Sequence, residues 1–453
     1  MSDLRLRSLR LTAFKSYAEA ELPLSALTVL IGRNGSGKSN ALDALEILSR
    51  LAQGEEVRDA LEGNRRDGSP VRGGVEGCAP HGQDRFSVGF TVGDHDDRSQ
   101  ASYWAELDVT VQVKPDVRIL DERLRAKIDG SLVTAVRTLD PDPQRADLVA
   151  AVHNGRVGPN PRSYFRSSHL VTSQLNLRLE GKTPAERSVM DVSRSCLVAM
   201  AGVFHLDPVP HLMRGYVPEQ DATLRRTAEN LSAAVHRLKR EDPEAFTRLV
   251  SVVKELPEHE VRQLTVGRGG FGDVMLALKE RRGRASTTVP ARQMSDGMLR
   301  MLAIATALLG GGRGLALDTP TAIDVDQPPL CLVLEELENG LHPSQAAKVL
   351  GLVKSTSLER GFQVVMTTHS PVLLNALDGD DHPGVLVCSR DRTSGYTSVQ
   401  QLHRLPGYLR TMAQGRLGDA VTRGILAQAT SDGPGPTAAG PTERELDELL
   451  GIG

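Results

Sequence analysis

GRNGSGKS, at residues 32–39, fits the phosphate-binding pattern G-x-x-x-x-G-K-[ST] and decides the fold of this chain. The two outer glycines let the backbone curl so that successive N–H groups face a polyphosphate. Lys38 is placed to reach the β- and γ-phosphates, and the Ser39 hydroxyl is a ligand for Mg²⁺. Residues 27–31 are typical of a strand, and residues 40–51 carry apolar side chains at helical spacing. The sequence therefore predicts a nucleotide-binding loop that opens a helix.

A second stretch, LVLEELENGLHP at residues 332–343, predicts the chemistry beside this loop. Residues 331–334 are apolar, as expected of a buried strand in a parallel sheet, and two carboxylates follow, Glu335 and Glu336. One acidic residue at such a strand end can hold the hydration shell of Mg²⁺. A second can polarise the water that attacks the γ-phosphate.

Further motifs occur around these two. MSDGM at residues 294–298 opens an apolar helix, and an apolar run at residues 363–368 leads into His369. LTAFKSY, at residues 11–17, is similar to the first strand of SMC and RecF proteins. In order and spacing, the motifs resemble the ATPase domains of the ABC class, in the branch that includes SMC, RecF and the OLD-family ATPases.

The resemblance implies an α/β fold: a P-loop ABC-type ATPase head with a mixed sheet, an antiparallel β subdomain and a helical insertion. We expect a first ATPase lobe at residues 1–183, the helical insertion at 184–260, a second lobe at 261–428 and a flexible tail at 429–453. The resemblance covers about residues 1–428 and is weak between the motifs.

The same resemblance assigns roles to residues. Glu336 is the expected catalytic glutamate and His369 the switch histidine, while Ser39 and Glu335 hold Mg²⁺. Residues 338–342 form the D-loop. The expected ATP ligands are Gly32, Arg33, Asn34, Gly35, Ser36, Gly37, Lys38, Ser39 and Asn40, together with the signature residues Ser295, Asp296 and Gly297.

ABC-class relatives bind ATP between two protomers, and the signature motif of one touches the γ-phosphate held by the other. The resemblance therefore implies a homodimer with ATP and Mg²⁺ at its interface. Ser295 and the Gly297 N–H, at a helix N-terminus, suit an anion. Two departures leave the turnover rate open: Glu335 stands where relatives often have Asp, and Leu337 where many have Pro or Ala.

Composition is that of a soluble cytoplasmic enzyme. The chain has 453 residues and a formal net charge of −3, so DNA binding would need a local basic patch. No run approaches the ~18 apolar residues of a membrane span, and the N-terminus lacks a signal-peptide core. The four cysteines are scattered, which predicts reduced thiols and neither a metal site nor a disulfide framework.

Between the motifs, alternating apolar residues predict strands at residues 4–13, 22–32, 86–92, 103–113, 117–128, 273–279, 287–289, 385–388 and 397–402. Residues 54–83 and 310–329 read as surface insertions, the first of them flexible, and residues 140–162 as loop. Gln174 is a candidate for the Q-loop that senses Mg²⁺ and γ-phosphate, with an ordinary surface glutamine as the alternative. Helices are predicted near residues 417–426 and 442–450, with a disordered linker at 430–441.

Two functions from different classes remain open. The first is an ATPase whose dimerisation cycle acts on DNA or on a DNA-processing partner, in DNA repair or anti-phage defence. The second is a slowly hydrolysing ATP-bound scaffold that holds an effector nuclease or toxin. The segment after His369 lacks the carboxylate arrangement of a Toprim nuclease, so we expect no nuclease activity in this chain.

A basic surface for DNA is also predicted, with a solvated helix face as the alternative. Residues 224–240 are expected to form a helix that is apolar on one side and arginine-rich on the other. Its basic residues are Arg225, Arg226, Arg237, Lys239 and Arg240, and a second basic group comprises Arg5, Arg7 and Arg10.

Overall fold

The fold is that of a computed structural model, which describes residues 4–63, 70–139, 147–255, 260–282, 285–317 and 329–423. Its strands are β1 (Arg5–Phe14), β2 (Tyr17–Pro23), β3 (Leu27–Ile31), β4 (Arg85–Gly93), β5 (Trp104–Gln112), β6 (Arg118–Ile128), β7 (Ser131–Leu139), β8 (Asp147–Val152), β9 (Arg162–Arg166), β10 (Val203–Leu206), β11 (Val217–Pro218), β12 (Val261–Arg268), β13 (Asp273–Arg282), β14 (Ala285–Pro290), β15 (Cys331–Leu334), β16 (Gln363–Thr368), β17 (Val385–Arg390) and β18 (Thr397–Gln401).

The helices are α1 (Lys38–Ala52), α2 (Val57–Glu62), α3 (Val171–Arg178), α4 (Pro184–Ala201), α5 (Leu231–Glu241), α6 (Pro243–Lys254), α7 (Asp296–Gly310), α8 (Pro343–Arg360), α9 (Pro371–Asn375), α10 (Tyr408–Ala413) and α11 (Leu417–Thr422). Short 3₁₀ segments lie at Leu212–Arg214, Ala291–Gln293, Gly312–Gly314, Gly379–Gly384 and Leu402–Arg404. No helix in the described part of the chain is both long and apolar enough to cross a bilayer.

A six-stranded sheet, in the order β10-β15-β16-β3-β17-β18, forms the centre of the molecule. Its strands are parallel except β18, which pairs antiparallel with β17. Leu30 and Val333 face one hydrophobic core, which also contains α1 and α4, whereas Val29 and Leu332 face a second core with α7 and α8. Because both faces are buried, these strands read as continuous apolar runs.

Two antiparallel sheets flank this centre. An eight-stranded sheet, in the order β2-β1-β4-β5-β6-β7-β8-β9, covers the core that contains α1. In the smaller sheet, β13 pairs with β11, β12 and β14, and it packs into the core that contains α7. The mixed sheet and the antiparallel subdomain expected from the sequence are therefore both present.

The central sheet brings the motifs together. β15, β16 and β3 are adjacent and parallel, so their carboxyl ends lie on one edge. The P-loop follows β3, the Glu335–Glu336 pair follows β15, and His369 follows β16. Three segments that are far apart in the sequence therefore meet at one place.

Several predicted elements are wrong in detail. Residues 22–32 form two strands, because the Ser25 side chain bonds the Leu27 carbonyl and the Ser25 N–H bonds the Thr28 hydroxyl, which turns the chain. The predicted loop at residues 140–162 contains β8. β7, β9 and β12 were not predicted as strands; β7 and β9 alternate only partly between buried and exposed residues.

The predicted helix at residues 224–240 begins only at Leu231. Ala228 has a left-handed φ of 56°, which interrupts any helix. The Asn230 amide donates to the carbonyl oxygens of Asp221 and Thr223 and holds the preceding segment in a turn. Of the predicted C-terminal elements, α11 is present at Leu417–Thr422, and residues 424–453 lie outside the described part of the chain.

The insertion after α1 is also not the flexible surface segment that its composition predicted. Val71 and Cys78 are buried in the core that contains α1, and the Lys15 N–H donates to the Cys78 carbonyl at 2.8 Å. Burial raises the pKa of the Cys78 thiol to about 11, so the thiol stays protonated. The described part of this insertion is thus packed against the ATPase lobe.

A buried carboxylate joins the eight-stranded sheet to α3, and we expect its removal to destabilise the fold. Glu122 accepts hydrogen bonds from the N–H groups of Val171, at 2.6 Å, and Thr172, at 2.7 Å. Glu122→Ala leaves these donors without an acceptor and should lower the free energy of unfolding by about 3 kcal/mol in urea denaturation. Glu19→Ala, on the exposed side of β2, is the control and should change it by less than about 0.5 kcal/mol. Equal losses in the two variants would contradict this role.

Candidate nucleotide-binding site

The P-loop has a backbone that only glycine fits at two positions. Gly32 has φ 149° and Gly37 has φ 100°, both in the left-handed half of backbone space. A Cβ atom on Gly32 would lie 2.2 Å from the Cys388 carbonyl oxygen, and one on Gly37 would lie 2.3 Å from the Thr397 hydroxyl. The loop therefore presses against β17 and β18, and its shape suits the phosphate cradle predicted from the sequence.

Lys38 lies folded over the loop. Its ammonium donates to the carbonyl oxygens of Gly32, at 2.8 Å, and Arg33, at 3.1 Å. The side chain is largely buried, and burial lowers its pKa. The β- and γ-phosphates would offer this ammonium stronger acceptors than the two carbonyl groups.

A chain of hydrogen bonds supports the P-loop. The Asn40 amide donates to the Ser16 hydroxyl, at 2.7 Å, which bonds the Thr397 hydroxyl, also at 2.7 Å. Thr397 then donates to the Ser36 carbonyl at 3.0 Å, and the Tyr17 hydroxyl donates to the Gly37 carbonyl at 3.0 Å. The Asn40 side chain thus supports the loop. No sequence pattern pointed to Thr397.

The two residues predicted to hold Mg²⁺ are in direct contact. The Ser39 hydroxyl donates to one carboxylate oxygen of Glu335 at 2.5 Å, although the two residues are 296 positions apart. A serine hydroxyl and a carboxylate are oxygen ligands of the kind that Mg²⁺ prefers, and the ion needs few of them when phosphates and waters supply the rest. These residues therefore fit the expected metal.

Arg72 occupies the other side of Glu335, and sequence reasoning missed it. Its guanidinium forms an ion pair with the second carboxylate oxygen. Burial opposes the charge on Glu335, but the hydrogen bonds from Arg72 and Ser39 outweigh it and hold the pKa of the carboxyl below its ordinary value. Lys15, which is also paired with Asp43 at 2.6 Å, anchors the Arg72 carbonyl at 2.7 Å. Arg72 lies in a segment of low apolar content, which gave no signal of its position.

Glu336 and His369 lie near each other at the same sheet edge. Glu336 has a left-handed φ of 46°, and its N–H donates to the Thr367 hydroxyl at 2.9 Å. Its carboxylate lies 4.0 Å from the His369 Nδ1, whereas Glu338 is closer, at 3.3 Å. Glu338 also accepts from the His369 N–H at 2.8 Å. The Glu336 carboxylate is 42% exposed, so water reaches it.

The signature residues begin α7. Ser295 is its N-cap and accepts from the Met298 N–H at 3.2 Å, and Asp296 is paired with Arg214 at 2.5 Å. A Cβ atom on Gly297 would lie 2.4 Å from the carbonyl oxygen of Gly340, in the predicted D-loop. Within the described ranges, the recorded hydrogen bonds of Ser295 and Asp296 include none to the P-loop.

The contacts of Gln174 indicate a structural role. Its amide nitrogen donates to the carbonyl oxygens of Arg166, His169 and Leu170, and its oxygen accepts from the Arg166 N–H at 3.0 Å. The side chain thus joins β9 to α3.

Two family models match the chain. Residues 5–106 match a family described as AAA ATPase domain, and residues 205–375 match one described as AAA domain, putative AbiEii toxin, Type IV TA system. Among curated proteins, the DNA replication and repair protein RecF of a Nocardioides species is 49% identical over 53 residues, or 12% of this chain and 13% of that protein. These matches support the resemblance to ABC-type ATPases of the SMC/RecF-like branch that the motifs indicated.

Other RecF proteins match in the same limited way. That of Synechocystis is 46% identical over 55 residues, covering 12% of this chain and 14% of the relative. That of Brucella abortus is 33% identical over 91 residues, covering 19% and 23%. The matches span less than a quarter of the length of these relatives.

Among solved structures, the Smc head bound to the C-winged helix domain of ScpA has a TM-score of 0.44 at 15% identity, covering 87% of this chain and 97% of that one. The SMC head of Thermotoga maritima has a TM-score of 0.39 at 14% identity, covering 88% and 98%. These TM-scores and identities are too low for the structural similarity to support a family or functional assignment. The fold class predicted from the sequence, a P-loop ABC-type ATPase head, is confirmed.

Lys38→Ala should abolish ATP binding while the fold survives. The ammonium is the P-loop group that reaches the β- and γ-phosphates, whereas its present partners are two carbonyl oxygens of the loop. Isothermal titration calorimetry with ATP and Mg²⁺ measures the loss, and circular dichroism checks the fold. Lys254→Ala, on the exposed end of α6, is the control and should bind as the unmodified protein does. Unchanged affinity in Lys38→Ala would rule out the loop as the nucleotide site.

Arg72→Ala should reduce the Mg²⁺ concentration needed for nucleotide binding. Arg72 and Mg²⁺ are cations that compete for Glu335, and the arginine is 55% exposed, so its ion pair is worth up to about 1 kcal/mol, or about fivefold. Titration of MgCl₂ against a fluorescent ATP analogue measures the half-saturating concentration. Arg58→Ala, which removes the Arg58–Glu62 pair on α2, is the matched control. A higher Mg²⁺ requirement in Arg72→Ala would mean that the arginine assists the metal.

Proposed function

We propose that the protein binds ATP with Mg²⁺, hydrolyses it, and closes as a homodimer around the nucleotide. The observation that carries the proposal is the meeting of Ser39, Glu335, Glu336 and His369 at the carboxyl ends of β3, β15 and β16. The P-loop, the Glu335–Glu336 pair and His369 thus lie at one sheet edge. RecF proteins and the AAA ATPase domain family support the same activity.

The residues of this chain divide the work. Residues 32–39 would hold the phosphates, Lys38 would neutralise their charge, and Ser39 with Glu335 would hold the metal. Bound Mg²⁺ would supply charge neutralisation between the β- and γ-phosphates. Arg72 would compete with the metal for Glu335, because both are cations attracted to the same carboxylate.

Glu336 is the group that can take a proton from water. Its carboxylate is partly exposed, and its backbone is fixed by the bond to Thr367. Glu338 holds the backbone and ring of His369, which places the imidazole 4.0 Å from Glu336. His369 is therefore positioned to orient the base or to contact the γ-phosphate.

The position of the signature residues, at the start of α7, supports dimerisation. Ser295 and Gly297 begin a helix of 15 residues, and their recorded contacts lead to α7, Arg214 and the D-loop. A helix N-terminus attracts anions. We propose that its anion is the γ-phosphate of ATP bound to a second copy, and that the Gly297–Gly340 contact transmits closure to the residues beside Glu336.

The biological setting is proposed at two levels. An ATPase associated with DNA has the broader support, since the relatives are DNA replication and repair proteins. A role in repair or in anti-phage defence is the narrower proposal. The scaffold for an effector nuclease or toxin remains the second candidate, and the wild-type turnover rate separates the two.

Glu336→Gln should keep ATP bound and slow hydrolysis by about 10²-fold or more, because the amide cannot accept the proton. Phosphate release measures turnover, and size-exclusion chromatography with light scattering should show a stable dimer in ATP. Glu359→Gln, on the solvent side of α8, is the matched control. Wild-type turnover in Glu336→Gln would transfer the role to Glu335 or Glu338. A wild-type protein that hydrolyses as slowly as Glu336→Gln, and stays dimeric, would favour the scaffold.

A further inference from the structure

The outer face of the eight-stranded sheet carries a row of arginines across its last four strands. Arg123 on β6 lies opposite Arg137 on β7, Arg137 lies opposite Ala151 on β8, and Ala151 lies opposite Arg162 on β9. Residues that lie opposite each other share a face of the sheet. The row therefore spans three strand spacings, or about 14 Å.

Edge strand β9 extends this row into a patch. Arg162, Tyr164 and Arg166 alternate with Ser163 and the buried Phe165, so the three share the outer face. Tyr164 is 61% exposed, and it lies between Arg162 and Arg166, whose Cα atoms are about 13 Å apart along the strand. We call Arg123, Arg137, Arg162, Tyr164 and Arg166 the arginine face.

The arginines of this face outnumber the acids beside them. Among the residues that the structure describes, the four side chains are in none of the ion pairs found. Two acids are opposite them in register: Asp108, opposite Arg123, is bonded to Arg10 at 2.8 Å, and Asp147 lies opposite Arg166. Like charges placed directly opposite each other, as at Arg123 and Arg137, destabilise a sheet unless an anion lies between them.

The basic residues singled out from the sequence behave differently. Arg226 is paired with Glu46, Arg237 with Glu241, and Arg240 with Glu219. Arg225 is paired with both Asp221 and Glu229. On β1, Arg7 is paired with Asp96 and Arg10 with Asp108. Carboxylates pair with these six arginines, whereas Lys239 lies over the Phe246 ring. The surfaces predicted from the sequence therefore have less unpaired charge for phosphates than their arginine content indicates.

We infer that the arginine face binds single-stranded nucleic acid. Guanidinium groups pair with phosphates in a bidentate way, and the strand register puts these arginines on one face of the sheet. The exposed Tyr164 ring favours nucleic acid over other polyanions, because an unpaired base can stack on an aromatic ring. The inference rests on the proposed function only where it connects nucleic-acid binding with ATP hydrolysis. Binding of single strands to the arginine face does not itself require ATP.

The test is fluorescence anisotropy with labelled single-stranded DNA, single-stranded RNA and duplex DNA, without ATP and at low and moderate salt. The main variant combines Arg137→Ala, Arg162→Ala and Arg166→Ala, all at exposed positions. We expect it to lose single-strand affinity by at least about tenfold and to reduce the salt slope by about 2. Tyr164→Ala should weaken single-strand binding by about tenfold and leave duplex binding nearly unchanged.

The matched control removes the same number of charges from the other surface, through Arg225→Ala, Arg237→Ala and Arg240→Ala. It should bind almost as the unmodified protein does, and circular dichroism should show all variants folded. Three results would overturn the inference: no binding by the unmodified protein at low salt, equal losses in the two triple variants, or competition by poly-glutamate as effective as by an unlabelled oligonucleotide. A failure of the Glu336→Gln experiment would leave these measurements unaffected, so the two proposals can fail separately.

Discussion

The hydrogen bond between Ser39 and Glu335 is the contact on which the site depends. It joins the residue after the P-loop lysine to a strand end 296 positions later, and it forms only if β3, β16 and β15 lie side by side in register. Parallel pairing puts all three carboxyl ends on one edge. Burial of the sheet on both faces holds that register, because a one-residue slip would exchange the side chains of the two cores.

Charge at this edge is balanced within the chain. Glu335 is placed between the Ser39 hydroxyl and the Arg72 guanidinium, while Lys38 lies over carbonyl oxygens of its own loop. Phosphate oxygens would bind Lys38 more strongly than the loop carbonyl groups do, and a divalent cation would bind Glu335 more strongly than Arg72 does. The charged groups of the site are therefore satisfied by partners that bind them less strongly than phosphate or a divalent cation would.

Small residues connect the site to the rest of the molecule. Gly32 and Gly37 let the P-loop lie against β17 and β18, and Gly297 lets the start of α7 lie against the D-loop. A side chain at any of these positions would push apart the two segments that meet there.

The sequence by itself determined the fold class and the identity of the central residues. Their motifs have physical requirements that few residue types meet: glycines in a curled loop, a lysine for phosphates, and carboxylates at a buried strand end. The mainly apolar runs of β3, β15 and β16 were also recognisable, since strands buried on both faces carry few polar residues. Thr28, Gln363, Thr367 and Thr368 are the buried polar residues in these strands. These patterns involve residues that are close together in the sequence, so they can be recognised without knowing the fold.

Only the tertiary structure decided what surrounds them. Arg72, Thr397 and the arginine face reach their positions through contacts between distant segments, and no spacing along the chain marks them. The predicted helix at residues 224–240 failed because Ala228 and Asn230 make a turn that propensity does not show. Its arginines are not a free basic surface because acids pair with them. Asp221, Glu229 and Glu241 lie four residues away along the chain, whereas Glu46 and Glu219 come from more distant segments. Charge pairing is a property of three-dimensional proximity, whereas the motifs are a property of order along the chain.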